Sequence, residues 1–117
     1  MEEKLKMLEL KDFEEAKKRV DEVIIPTPLI YSPAFSKECR NMVYIKPENL
    51  QRTGAFKIRG AYNKIMKMDE ESKSRGLIAS SAGNHAQGVA YAAQQLGVKA
   101  TIVMPAHTPL IKVDATK

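Results

Sequence analysis

Apolar residues recur every three or four positions in several stretches of this chain, a spacing that places them on one face of a helix. In one stretch Ala86, Val89, Ala93 and Leu96 follow this spacing and precede Gly97. A glycine at that point favours the left-handed conformation in which helices commonly end. Helices are predicted from Asp12 to Pro26, over 34–38, over 56–68 and over 84–96, with another beginning at 108–109.

Residues that favour helix starts accompany these patterns. Asp12 is expected to cap the first helix, because a carboxylate can accept hydrogen bonds from the free backbone N–H groups there. Ser32 and Pro33 are expected to supply the N-cap and the first-turn proline of the second helix. Thr108 and Pro109 predict the same arrangement for the last helix.

Short apolar or β-rich runs lie between the helices. Strands are predicted over 42–46, 77–80 and 100–104. A polar loop over 48–53 follows the first strand, with Gly54 as its flexible point. Helices that alternate with short buried strands are typical of the α/β class, so we predict an open parallel sheet with flanking helices.

Composition argues against two classes of binding partner, nucleic acids and membranes. The 117 residues carry a formal net charge of +5, but basic and acidic residues alternate, as over 14–19, and aromatic residues are few. This pattern is typical of solvated helix faces, so no nucleic-acid partner is expected. The sequence contains neither an apolar run of about 18 residues nor a secretory signal, so no membrane partner and a cytoplasmic location are expected.

Cysteine and histidine usage argues against two further kinds of site. Cys39 is the single cysteine, so no internal disulfide is predicted, which fits a reducing compartment. His85 and His107 are far apart and have no carboxylate cluster beside them. The sequence therefore predicts no metal site.

Lys57 is the first candidate for chemistry. It follows Phe56 at the start of a predicted helix, and Arg52 and Arg59 are close in sequence. A helix N-terminus and neighbouring cations favour the neutral, nucleophilic form of an amine, which reacts with an aldehyde cofactor. The competing interpretation is an ordinary surface lysine.

The second candidate is the turn from Ser80 to Gly88, between a predicted strand and a predicted helix. Small residues leave the backbone N–H groups at a helix N-terminus open, and such groups bind anions. The competing interpretation is a structural turn capped by Ser81 or Asn84. A phosphate-binding P-loop fits poorly, because no GxxxxGK[ST] motif is present.

Four segments in the same order resemble one enzyme family. The run from Lys46 to Ala61 is similar to the lysine segment of the β-family (fold type II) enzymes that use pyridoxal 5'-phosphate (PLP). Residues 81–88 and 103–113 resemble the threonine dehydratase (threonine ammonia-lyase) branch in particular, and 27–29 resembles the start of its first strand. The resemblance extends over nearly the whole chain.

The resemblance implies a role for each matching residue. Lys57 would carry PLP covalently and remove the α-proton of the substrate once it is released. Phe56 would pack beside the pyridine ring, and Asn84 would hydrogen-bond the cofactor's 3-hydroxyl group. The carboxylate of the amino-acid substrate would lie against a loop that consists of Ser81, Ala82, Gly83, Asn84 and His85.

The implied reaction is α,β-elimination. L-Threonine would give 2-oxobutanoate and ammonia, and L-serine would give pyruvate. Serine racemases of this family tend to carry a serine at the position of Ala82, which favours a dehydratase here. A serine racemase or another β-family lyase is the alternative. The resemblance also implies a dimer or tetramer for the full-length protein.

We also expect the chain to be an N-terminal part of a longer protein. In the family, a glycine-rich loop for the PLP phosphate and a polar contact to the pyridine nitrogen follow well beyond this sequence. Residues 1–47 would belong to the larger domain, and 48–117 would form most of the smaller α/β domain. By itself the chain is expected to be inactive. The alternative is a non-catalytic fragment that self-associates.

Overall fold

The computed structural model describes residues 7–117, and helices alternate with strands along them. In this part of the chain the α-helices are α1 (Leu10–Val20), α2 (Pro33–Cys39), α3 (Lys57–Met66), α4 (Glu70–Arg75), α5 (Asn84–Gln95) and α6 (Leu110–Asp114). The strands are β1 (Ile30–Tyr31), β2 (Tyr44–Ile45), β3 (Leu77–Ser80) and β4 (Ala100–Val103). Two short 3-10 helices, Glu48–Leu50 and Arg52–Gly54, join β2 to α3.

The strands form two separate pairs. β3 and β4 are parallel, with Ser80 opposite Val103, and α5 connects them. This βαβ unit confirms the predicted α/β class with a parallel sheet. β1 and β2 form an antiparallel pair with Tyr31 opposite Tyr44, which helix–strand alternation did not predict. The pair forms because α2 is short, so the chain returns beside β1.

The core lies where α3 packs against α5 and α1. Ile58 has no exposed surface, and it is grouped with other buried apolar side chains. They are Val20, Val23, Ala61, Tyr62, Ile65, Val89 and Ala92. Along α3 these buried positions are three or four residues apart, as the periodicity predicted. The start of α3 is therefore fixed by packing on two sides.

Two of the predicted helix boundaries are confirmed. The side chain of Ser32 accepts a hydrogen bond from the backbone N–H of Phe35, and Pro33 is the first residue of α2. Gly97 has a φ of +65°, the left-handed conformation expected after α5. A residue with a side chain is strained in this conformation, so the glycine is the natural end of the helix.

Two other boundary predictions are wrong. Asp12 is not the N-cap of α1, because the helix begins earlier and Glu9 takes that position. The carboxylate of Asp12 instead accepts a hydrogen bond of 2.9 Å from the backbone N–H of Glu9, the second half of a capping box. Thr108 does not cap α6 either: Pro109 is the N-cap, and the Thr108 hydroxyl donates to the Pro105 carbonyl.

The helix predicted over 56–68 is followed by a helix that the sequence pattern did not predict. α3 ends at Met66, and α4 begins after Asp69. The Asp69 carboxylate accepts a hydrogen bond of 2.7 Å from the backbone N–H of Ser72 and so caps α4. This hydrogen bond lowers the pKa of Asp69 from its ordinary value. A cap and local ion pairs stabilise a helix that has no buried residue.

Two kinds of feature are absent from the described part of the chain. No helix within residues 7–117 is long and apolar enough to cross a membrane. Over the same residues, no group of three or more His, Cys, Asp and Glu side chains is arranged to hold a metal ion.

Candidate active site

Lys57 is the first residue of α3, and its side chain is exposed. Its Nζ lies 5.2 Å from the centre of the Phe56 ring, a cation–π distance. Phe56 occupies the N-cap position of α3, and 58% of its surface is exposed. The structure thus places an accessible amine and an accessible aromatic ring together at the N-terminal end of one helix.

Gly88 is the reason that α5 comes close to Lys57. A Cβ atom at this glycine would lie 3.1 Å from the backbone carbon of Lys57 and 3.1 Å from the backbone nitrogen of Ile58. The two backbones are therefore in contact, with no room for a side chain between them. Asn84 begins α5 one helical turn earlier, about 6 Å along the helix axis. The contact brings the start of α5 to the side of α3 that carries Lys57.

The turn before α5 leaves its first backbone N–H groups open. Gly83 is the N-cap residue, and no side chain among residues 7–117 caps this end of the helix. The alternative in which Ser81 or Asn84 caps α5 is therefore wrong: the Ser81 hydroxyl oxygen accepts from the N–H of Gly83 at 3.4 Å, and Asn84 is already helical. Open N–H groups at a helix N-terminus attract a carboxylate or another anion.

The position of this turn follows from the parallel strand pair. Ser80 ends β3, and the backbone N–H of Ser81 still donates to the carbonyl of Val103 at 3.0 Å. The turn is thus anchored at the carboxyl end of the sheet, where α/β proteins bind their ligands. Ala82 and Gly83 are partly exposed, and Asn84 and His85 are exposed. The five predicted residues are consecutive: Ser81, Ala82 and Gly83 form the turn, and Asn84 and His85 begin α5.

Glu48 and Arg59 form an ion pair beside this site that sequence reasoning missed. Arg59 Nε donates to Glu48 Oε2 at 2.9 Å, and a terminal nitrogen of Arg59 donates to Oε1 at 2.8 Å. The hydroxyl of Thr27 also donates to Oε1, at 2.6 Å. These hydrogen bonds, that of Arg59 first, lower the pKa of Glu48 from 4.5 to about 2. Glu48 and Arg59 are two charged residues among many, and no local sequence pattern indicates that they pair.

The same ion pair corrects one step of the sequence argument. The sequence predicts that Arg59 acts on Lys57 as a neighbouring cation, whereas its Nε and one terminal nitrogen both donate to the carboxylate of Glu48. The Nε of Arg52 donates to the backbone carbonyl of Val23 at 3.1 Å. Both arginines therefore hold the chain in place around Lys57.

Gln51 is the second residue that sequence reasoning missed. The residue is 4% exposed, and its side-chain amide binds the backbone of Ile25 and also accepts from the N–H of Arg52 at 3.0 Å. The amide oxygen accepts from the N–H of Ile25 at 2.8 Å, and the amide nitrogen donates to the carbonyl of Ile25 at 2.7 Å. This pairing mimics a strand hydrogen-bond pattern. It fixes the loop before α3 against the segment that follows α1.

The residues present fit part of a pyridoxal phosphate site. An exposed amine suits the aldehyde of the cofactor, and the Phe56 ring offers an apolar surface for a flat heteroaromatic group. The Asn84 amide can bind a ring hydroxyl, and the open N–H groups of α5 suit a carboxylate. Lys57, Phe56 and Asn84 are therefore the residues that would hold the cofactor in this chain.

Comparison with known proteins bears on the family and the cofactor. The family of pyridoxal-phosphate dependent enzymes matches residues 20–117. An L-threonine ammonia-lyase from Thermotoga maritima is 52% identical over 111 residues, which are 95% of this chain and 28% of that protein. These findings confirm the resemblance and the cofactor predicted from the sequence.

Solved structures of other proteins contain the same fold. A serine racemase from Dictyostelium discoideum superimposes with a TM-score of 0.85 at 40% identity, over 93% of this chain and 36% of its own. Threonine deaminase isoform 2 from Solanum lycopersicum gives a TM-score of 0.76 at 40% identity, over 93% and 31%. The chain thus spans about a third of the length of these proteins.

Proposed function

We propose that this chain, which belongs to the pyridoxal-phosphate dependent enzyme family, contributes the cofactor lysine and the substrate-carboxylate loop to an amino-acid ammonia-lyase. The observation that carries the proposal is the contact of Gly88 with the backbone of Lys57 and Ile58. It brings the one lysine at the start of α3 to the uncapped start of α5. An amine and an anion-binding turn at one place are what such an enzyme needs.

Each residue has a separate task in the proposed site. The Lys57 amine would hold the cofactor at its aldehyde and, once the substrate amine has displaced it, would be free to take the proton from the substrate α-carbon. Phe56 would pack beside the ring, and Asn84 would hydrogen-bond the ring hydroxyl. When bound, pyridoxal phosphate stabilises the negative charge left at the α-carbon.

The substrate carboxylate lies on the turn from Ser81 to His85. Backbone N–H groups of the turn and of the first residues of α5 hold it and so orient the α-hydrogen. We propose L-threonine as the substrate, with L-serine as a second one, and loss of the β-hydroxyl group as the step that leads to a 2-oxo acid and ammonia. The relative from Thermotoga maritima, an L-threonine ammonia-lyase, supports this choice.

Racemisation is the second candidate reaction, and the structural likeness to a serine racemase favours it. Ala82 supports elimination instead, because its methyl group has no proton to give to the opposite face of the α-carbon. The two reactions differ in product. Incubation of the full-length protein with L-serine yields pyruvate if elimination is the activity, and D-serine if racemisation is.

We further propose that residues 1–47 belong to the larger domain and 48–117 to the smaller one, in an oligomeric full-length enzyme. A non-catalytic, self-associating chain is the alternative from another functional class. Ile78 on β3 favours it, since 81% of its surface is exposed, and Val103 on β4 is 51% exposed. Apolar side chains on an open sheet face promote association.

Covalent labelling tests the proposed cofactor lysine. We expect that incubation with pyridoxal phosphate followed by borohydride reduction modifies Lys57 in preference to the other lysines, because it alone has the predicted site around it. Peptide mass mapping measures the modified fraction at each lysine. Lys64 is the internal control, since it is also exposed and lies on the same helix. Equal labelling of Lys57 and Lys64 contradicts the proposal for this chain.

A further inference from the structure

The chain that leads into Lys57 forms a loop closed by side chains at both ends. Glu48 begins the first 3-10 helix, Arg59 lies in the first turn of α3, and the two hydrogen bonds between them bring these ends together. Residues 49–58 lie between the two partners, and they include both Phe56 and Lys57. The position of Lys57 therefore depends on whether this loop is closed.

The closure is attached to a third segment of the chain. Thr27 is 6% exposed, and its hydroxyl donates to the same carboxylate that holds Arg59. The Nζ of Lys46 in turn donates to the backbone carbonyl of Thr27. Glu48 thus accepts hydrogen bonds from Thr27 and from Arg59, which are far apart in sequence. A carboxylate with this bidentate geometry is directional as well as charged.

The ion pair is sheltered from solvent. The side chain of Glu48 is 16% exposed, and that of Arg59 is 29% exposed. In each of the other ion pairs of the described residues at least one partner is well exposed, and the two partners are three or four positions apart, within one helix or at its end. Only pairs with fixed, partly buried geometry hold two segments in register, since exposed pairs exchange readily with water. Among the described ion pairs, that of Glu48 and Arg59 is the one that joins different elements.

We infer that Glu48 is a positioning residue for Lys57: through Arg59 and Thr27 it holds the start of α3 so that the Lys57 amine faces the start of α5. The inference rests on the proposed function of Lys57. The hydrogen bonds that Glu48 makes among the described residues go to Thr27 and Arg59, so its effect on Lys57 passes through the backbone of the closed loop. A site held loosely by its supporting residues loses reactivity even when every reactive group is present.

Glu48→Gln tests the inference in the labelling experiment described above. Glutamine keeps the size of the side chain but loses the charge and one acceptor for the guanidinium. We expect the ratio of pyridoxyl label on Lys57 to that on Lys64 to fall about tenfold. Both lysines are on α3, and unfolding would move their ratio towards that of the unstructured chain, so the ratio is compared under conditions in which the wild-type protein and the variant are both folded.

Two further variants separate positioning from stability. Asp69→Asn removes one carboxylate at the start of α4, 12 positions along the chain from Lys57, and keeps a side-chain oxygen that can cap this helix, so we expect an unchanged ratio. Thr27→Val removes only the hydroxyl that donates to Glu48, and we expect a smaller fall of about twofold to threefold. Labelling in urea above the unfolding transition supplies the ratio of the unstructured chain.

The outcomes distinguish the two proposals. A selective wild-type protein and an equally selective Glu48→Gln variant overturn the positioning role and leave the proposed function standing. A fall of the same size in Asp69→Asn also overturns the positioning role, because the effect is then general. Equal labelling of Lys57 and Lys64 in the wild-type protein overturns the proposed function and the positioning role with it.

Discussion

Glu48 illustrates how much a single residue depends on its partners. Its carboxylate accepts from Arg59 and Thr27, and these hydrogen bonds lower its pKa to about 2. The same pairing raises the pKa of Arg59 above its ordinary value. In the unfolded chain Glu48 has no such partners and titrates near the ordinary value of about 4.3. The folded state therefore binds this proton less readily than the unfolded state does.

This difference predicts how stability depends on pH. A carboxylate whose pKa is lowered by folding stabilises the protein at pH values above its unfolded pKa, and the contribution is lost as the pH falls through the folded pKa. For Glu48 the window is from about pH 4.5 down to about pH 2. At pH 6 we expect Glu48→Gln to lower the free energy of unfolding by about 1–2 kcal/mol.

Urea unfolding at pH 6, 4 and 2.5 measures this effect. The difference between wild type and Glu48→Gln should shrink steadily over that range, because Glu48 becomes protonated in the unfolded chain while it stays largely ionised in the folded one. A difference that stays constant from pH 6 to pH 2.5 would show that charge makes no contribution. Asp69→Asn is the comparison variant, because the lowered pKa of Asp69 arises from an exposed cap instead.

At the scale of elements, the contact between α3 and α5 determines the candidate site. Gly88 lies inside α5, where a glycine costs about 1 kcal/mol relative to alanine in helix propensity. Its small size offsets that cost, since it allows the backbone of α5 to touch that of Lys57 and Ile58. The helix gives up some of its own stability so that two helix starts lie side by side.

Gly88→Ala should therefore be destabilising in spite of the better helix former. The added methyl group meets backbone atoms at 3.1 Å, and these can move only if the two helices separate. We expect a net loss of about 1–2 kcal/mol in the free energy of unfolding, together with lower labelling of Lys57. Urea unfolding and peptide mapping measure the two effects.

Gly60→Ala is the matched control for that substitution. Gly60 lies inside α3, and no atom is within 4 Å of the position that its Cβ would take. At Gly60 the substitution changes only helix propensity, so we expect the free energy of unfolding to rise by about 0.5–1 kcal/mol. If both variants change stability in the same direction, the close contact at Gly88 is not the cause.

At the scale of the whole molecule, the parallel strand pair has one covered face and one open face. Ala79 and Ile102 point towards the core, whereas Ile78 and Val103 lie on the opposite face and are exposed. Ile78 also borders an open groove of about 350 Å³ with His85 at its rim. This chain spans about a third of the length of its curated relatives. Exposed apolar side chains such as Ile78 and Val103 favour contact with another apolar surface.

Ile78→Lys tests whether this face promotes self-association. A lysine at a position with 81% exposure buries no charge, so folding should be little affected, while the apolar contact area falls. We expect the dissociation constant for self-association, measured by analytical ultracentrifugation, to rise at least tenfold. Asn41→Lys adds the same charge at another exposed position and should leave association unchanged. Equal effects of both variants would indicate that net charge is responsible.

Local features of the sequence determined much of the fold. Apolar spacing located the buried faces of α3 and α5, and Ser32 and Gly97 marked boundaries that the structure has. Such features depend on near neighbours in the chain, so they can be read from residue types. Asp12 and Thr108 were assigned as caps wrongly because several polar residues near a helix start compete for that position, and tertiary contacts select among them.

The sequence by itself also determined the family, because the order of the lysine segment and the turn segment is preserved along the chain. Only the tertiary structure decided how those segments meet. The backbone contact at Gly88, the bidentate pairing of Glu48 with Arg59 and the binding of Gln51 to Ile25 each join residues far enough apart that no local pattern encodes them. Such contacts depend on the path of the folded chain, and that path is set by the packing of α1, α3 and α5.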